Sequence, residues 1–146
     1  MTSQFRTVAL ALSLCACSDS AQSGFTRLMR ASASGEAGSV RELLAGGADP
    51  NHADANGETA LSLAAQFGRT EVVALLLEGG ASVDAADTKG VTPLMKAARF
   101  GRDETVEELL RGGADRSRKD GEGRNAAAWA KSSGHEALAR RLEQAD

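Results

Sequence analysis

Apolar residues return along this chain at a fixed interval of 33: Leu28, Leu61 and Leu94 mark one line, and Leu43, Leu76, Leu109 and Leu142 a second. Between the lines lie small residues, Ala64-Ala65 and Ala97-Ala98, each pair followed shortly by a glycine, Gly68 or Gly101. A denser apolar cluster comes next, with Val72, Val73, Leu75, Leu76 and Leu77 in one unit and Val106, Leu109 and Leu110 in the next. The pattern predicts two short helices per unit, the first kept slim by alanine and broken by glycine, the second carrying the larger apolar side chains. A unit of this size cannot bury its own apolar face, so each must be covered by its neighbours.

The punctuation keeps the same step. Gly24, Gly57, Gly90 and Gly123 form one ladder, and Gly35, Gly68, Gly101 and Gly134 another; the Gly-Gly pairs at 46-47, 79-80 and 112-113 supply two more, accounting for 14 of the 16 glycines. Their abundance therefore reports turns and not a phosphate-cradling loop. Asp54, Asp87 and Asp120 each open an Asp-x-x-Gly turn, where the carboxylate bonds nearby backbone N–H groups. Thr26, Thr59 and Thr92, with Asn125 in the fourth place, are expected to cap the first helices, and Pro93 suits a first helical position. The Gly-Gly pairs are expected to end the second helices.

These motifs resemble the ankyrin repeat. DANGETALSLAAQFGRTEVVALLLEGGASVDA from Asp54 and DTKGVTPLMKAARFGRDETVEELLRGGADRS from Asp87 follow that family's D-x-x-G-x-T-P-L, A-A, G, L-L and G-A-D pattern. The resemblance implies an all-α solenoid of helix-turn-helix units with β-hairpin-like connecting loops, in four repeats at about 24–53, 54–86, 87–119 and 120–146. The end repeats depart from the pattern as caps would. The first has Arg27 for the proline, Ser32 for the second alanine and no leading aspartate; the last has Glu143 where Leu44, Leu77 and Leu110 stand. The array is thus expected to begin and end within this chain.

Residues 1–16 have the layout of a signal peptide, with Arg6 ahead of the apolar run Val8 to Leu14. Leu14-Cys15-Ala16-Cys17 resembles the bacterial lipobox, which implies cleavage before Cys17 and a lipid on its thiol. Two or three acyl chains, at about 0.8 kcal/mol per buried methylene, would anchor the protein stably. Residues 17–23 then form a short tether. Ser18, where an aspartate would favour inner-membrane retention in enteric bacteria, points to an outer-membrane lipoprotein facing the periplasm. The alternatives are plain secretion, with cleavage after Ser23, and a cytosolic chain with an apolar start. Both cysteines lie in this segment, so a disulfide framework in the folded part is excluded.

Composition narrows the function. Only 3% of residues are aromatic and the net charge is −3, which argues against base stacking and against a basic nucleic-acid-binding surface. No apolar run approaches the ~20 residues that span a bilayer. Two histidines, His52 and His135, without cysteine in the fold make a metal site improbable, and neither a G-x-S-x-G elbow nor a P-loop is present. No catalytic residue, metal or cofactor is assigned.

In the repeat family, hairpin tips and the exposed face of the first helices line a concave partner-binding surface. The resemblance places Leu63, Phe67, Lys89, Val91, Lys96, Arg99, Phe100, Arg124 and Trp129 at such variable positions, with Phe25, Arg30, Asn56, Glu58, Gln66 and Glu122 on the same face. Aromatic residues with arginine around them have the composition of binding hot spots. Arg30, Lys89, Lys96, Arg99 and Arg124 make this projected face basic, while Glu71, Glu104, Glu107, Glu108 and Glu136 fall on second helices. The expected function is a monomeric, non-enzymatic module that binds a protein, with an acidic surface, on the periplasmic side of a bacterial membrane. An accessory role for an envelope enzyme, such as one of peroxide defence, an immunity role against a toxin, and a purely structural envelope role are the alternatives.

Overall fold

The computed structural model describes residues 25–144. The expected signal peptide, Cys17 and the tether lie outside the described residues. Within them the chain forms four helix pairs: α1 (Arg27–Ser34) with α2 (Ala37–Ala45), α3 (Ala60–Gln66) with α4 (Thr70–Glu78), α5 (Pro93–Arg99) with α6 (Asp103–Arg111), and α7 (Ala126–Ser132) with α8 (Glu136–Gln144). The first helices stack as one layer, α1 on α3 on α5 on α7, and α2, α4 and α6 form a second layer behind them.

Local chemistry starts and stops each element. Thr59 Oγ1 accepts from Ser62 N–H at 3.2 Å while Thr59 N–H donates to Ser62 Oγ at 3.0 Å, a closed capping box at the start of α3. Thr26, Thr92 and Asn125 cap α1, α5 and α7 through their side-chain oxygens, and Pro93 is the first residue of α5. Phe100 closes α5, and Gly101 then turns the chain at φ +65°, a conformation costly for any residue with a Cβ.

The core runs the length of the stack. Leu61, Leu76, Leu94 and Leu109 are fully buried, with Val40, Val73 and Val106 beside them and Ala64, Ala65, Ala97 and Ala98 where the first helices meet. Each buried leucine contributes about 1.5–3 kcal/mol relative to an exposed one. A Cβ at Gly112 would lie 2.7 Å from Leu77 Cδ1 of the preceding repeat, so that side chain would have to shift to admit one. Glu143, in the register of Leu77 and Leu110, is exposed.

Two details differ from expectation. Ser32, read from sequence as a departure suited to an exposed end, is fully buried, and its Oγ has no hydrogen-bond partner. Its register is that of buried Ala65 and Ala98, so a small side chain is what the position demands. The connecting loops are hairpin-like without becoming strands among the described residues. Each is closed by two backbone bonds: Asp54 N–H to Glu58 O at 3.0 Å, Asp87 to Val91 at 3.0 Å and Asp120 to Arg124 at 2.9 Å, and within them Gly57, Gly90 and Gly123 N–H back to the O of Asp54, Asp87 and Asp120, each at 3.0 Å. Adjacent tips are joined by Thr88 N–H to Asn56 O at 3.1 Å and Gly121 N–H to Lys89 O at 2.9 Å, too few bonds for a ladder.

Candidate functional site

The turns and the first helices of the second to fourth pairs enclose a groove of about 600 Å³. Its framework is the Asp-x-x-Gly turn. Asp54 Oδ1 accepts from the N–H groups of Asn56 and Glu58, Asp87 Oδ1 from Lys89 and Val91, and Asp120 Oδ1 from Glu122 and Arg124, all at 2.8–3.0 Å. One carboxylate oxygen thus shapes each turn, and the other is free to hold a side chain of the following helix.

What it holds depends on the residue nine positions later. After Asp120 that residue is Trp129, whose Nε1–H donates to Asp120 Oδ2 at 3.0 Å. Arg124 adds Nε–H and Nη2, both at 3.1 Å from the same oxygen, and its guanidinium lies over the Trp129 ring at 3.9 Å from the centroid. Asp120 is consequently a hub, with only 1% of its side chain exposed. Burial pushes its pKa up, but the backbone N–H groups of Arg124 and Glu122 and the Arg124 guanidinium outweigh burial and hold it below the ordinary carboxylate value. After Asp87 the corresponding residue is Lys96, with Nζ 3.8 Å from Asp87 Oδ2 and in a short contact with Glu58 Oε1. After Asp54 it is Leu63, which offers no donor.

Seven of the nine residues expected to contact a partner, Lys89, Val91, Lys96, Arg99, Phe100, Arg124 and Trp129, line this groove. Leu63 and Phe67 lie outside its lining: Leu63 packs partly buried against the core, and Phe67 stands 43% exposed. Phe100 is 41% exposed, so the two phenylalanines do not cover each other fully.

Lys96 differs from its expected role as a surface cation. It is 8% exposed, because the Glu58 and Asp87 carboxylates draw it into the wall between the second and third pairs. The expectation of a basic groove also changes. Four cations line it, but so do Glu58, Asp87, Asp120 and Glu122, and the formal charge balances. Three of those acids are largely buried under Lys96, Arg124 and Trp129, whereas Lys89 and Arg99 are exposed. Sequence reasoning read Asp87 and Asp120 as turn residues only. The overlooked signal is an N–H donor nine residues after the aspartate.

The acids of the second helices face a different environment. Glu71 pairs with Arg41 at 3.4 Å, and Glu107 pairs with Arg141, tying neighbouring units by surface ion pairs worth about 0–1 kcal/mol each. His135 belongs to the scaffold, its ring lying against Gly101. No group of three or more His, Cys, Asp or Glu among the described residues could hold a metal, and no helix there is long and apolar enough to cross a membrane.

Residues 28–120, more than half of the chain, match the model of the family described as ankyrin repeats, in three copies. The chain belongs to the ankyrin repeat family. Comparison with curated proteins gives no match to it. Ankyrin repeats are in general protein–protein interaction modules, and the family is generally non-enzymatic. In this ankyrin array α7 and α8 extend beyond the matched residues and continue the stack on α5 with the same capping and turn chemistry.

Proposed function

We propose that this ankyrin array is a non-enzymatic binding module that takes a protein partner on its concave face, at the periplasmic side of a bacterial membrane to which lipidated Cys17 holds it. The observation that carries the binding half is the pair Phe67 and Phe100, both more than two-fifths exposed, beside a groove whose polar wall is already ordered by Asp87 and Asp120. Exposed aromatics on a pre-arranged surface are what a partner needs as anchors, since little side-chain ordering remains to be done on binding. The localisation half rests on Arg6, the apolar run and the Leu14-Cys15-Ala16-Cys17 tetrad. Eight residues from Cys17 towards Thr26, each reaching at most ~3.3–3.6 Å, would keep the groove within a thin layer next to the membrane.

Two experiments test the halves separately. Photo-crosslinking residues placed at Phe67 or Phe100 in the natural host should yield one defined protein adduct, and the same residue at Glu104, exposed on α6, should not. Equal adducts from both faces would refute concave binding. For localisation, intact mass and membrane partition are compared with a Cys17→Ser variant. A chain starting at residue 17 with acyl chains, and a variant that is released or unprocessed, is expected; an unprocessed soluble chain would refute the anchor.

A further inference from the structure

The charges of the groove are not equally engaged. Lys96 is paired with Glu58 and Asp87, and Arg124 with Asp120 and Glu122. Lys89 and Arg99 have no carboxylate within ion-pair distance among the described residues, and both are exposed. Arg99 is nevertheless framed. Its guanidinium carbon lies 5.4 Å from the Phe100 ring centroid and 5.3 Å from that of Trp129. Aromatic rings near a guanidinium engage its π surface and restrict its rotamers, while its five N–H donors, which lie in its plane, stay available for a bidentate acceptor.

The exposed Phe100 ring lies by this guanidinium and half-buried Val91 lines the same groove, so the site joins a cation without a carboxylate partner among the described residues to apolar surface. A volume of about 600 Å³ admits a short stretch of chain. We infer that Arg99, assisted by Lys89, is a carboxylate anchor, and that the occupant of the groove is an extended segment of a partner protein with an aspartate or glutamate side chain next to an apolar residue. Two groove cations without a carboxylate partner among the described residues, on a chain of net charge −3, are too few for a nucleic-acid backbone, which needs clustered cations along its length. The inference rests on the concave face being the binding surface, and narrows what that surface takes.

Trp129 is the single tryptophan of the chain and lies in the groove wall, so its fluorescence reports occupancy directly. The probe is a random peptide library displayed with its C-terminus fused to the carrier, which leaves only side-chain carboxylates. It is selected on the full-length protein, and the enriched sequences are made as end-capped peptides with their Glu→Gln or Asp→Asn counterparts. Enriched peptides should carry an acid beside an apolar residue and perturb Trp129. The amide swap should weaken binding at least tenfold, the scale of a charge-assisted hydrogen bond. An Arg99→Gln variant should lose about as much for the acidic peptide and become indifferent to the swap. Arg99 is exposed, so an unchanged melting profile will confirm that the variant is folded.

Peptides that perturb Trp129 but tolerate the amide swap would overturn the carboxylate anchor and leave concave binding standing. Peptides that leave Trp129 unchanged and still bind a Phe67→Ala/Phe100→Ala variant would overturn both. Failure to enrich any peptide would overturn the inference that a short segment fills the groove.

Discussion

The three turn aspartates form an internal series in which one substitution separates two jobs. Asp→Asn keeps an oxygen for the backbone N–H groups of the turn and replaces the second oxygen with an NH₂. At Asp54 that second oxygen meets no donor from Leu63, so the cost should stay within about 0.5 kcal/mol. At Asp87 it faces Lys96 Nζ at 3.8 Å, and Lys96 keeps Glu58, so about 1 kcal/mol is expected. At Asp120 the new NH₂ would face Trp129 Nε1–H at 3.0 Å and the Arg124 donors at 3.1 Å, three donors of which only Arg124 Nη2 keeps a carboxylate, that of Glu122. Rotating the amide only transfers the mismatch to Glu122 and Arg124 N–H. Hydrogen bonds to a charged group are worth about 1.5–3 kcal/mol each, and water competes for Arg124, so about 3 kcal/mol in total is expected. Urea unfolding at neutral pH, followed by far-UV circular dichroism and by Trp129 fluorescence, measures the series. Two probes are needed because the last repeat of a solenoid can open before the rest. Equal costs at all three positions would refute the reasoning, since the turns would then account for everything the carboxylates do.

Asp120→Asn also carries a pH signature. The folded pKa of Asp120 lies below the ordinary value, so its contribution is complete above about pH 3.9 and is lost as pH falls through the lower folded value. The native protein should therefore lose stability more steeply than Asp120→Asn in acid melts below about pH 4, and parallel curves would count against the hub. Leu76→Ala should cost about 2–5 kcal/mol, because Leu76 is fully buried between repeats; an unchanged melting temperature would contradict the packing. Gly134→Ala should cost about 1–2 kcal/mol for left-handed backbone alone, since nothing lies near the new methyl group. Gly101→Ala should cost more, because its Cβ would lie 2.6 Å from the His135 ring, and a His135→Ala background should remove the excess. Additive costs in that double variant would disprove the contact.

Much of this protein is legible in the chain because its signals are local. A Thr caps the helix that begins one residue later, and a Gly-Gly pair ends the one just before it. Because those signals recur every 33 residues, the sequence alone determined where the first helices start and the second helices end, the repeat stack and most of the core leucines, although Leu43, in register with buried Leu76 and Leu109, is only partly buried. It also placed seven groove residues together, since residues in register on stacked repeats must be neighbours.

Tertiary structure decided what those residues do. Lys96 and Arg99 read alike in sequence as cations on one helix face, yet Lys96 is buried between two carboxylates and Arg99 is exposed. The cause is Glu58, 38 residues away on the preceding tip, whose distance from Lys96 is set by how closely two repeats approach. Asp120 and Trp129 likewise became partners only when the turn folded back over the next helix. Capping and turn preferences act between residues close in the chain and need no knowledge of the rest. Ion pairing and desolvation depend on distances between segments that only the packed stack brings together, so the accessible charge of the groove could not be counted from the residues that line it.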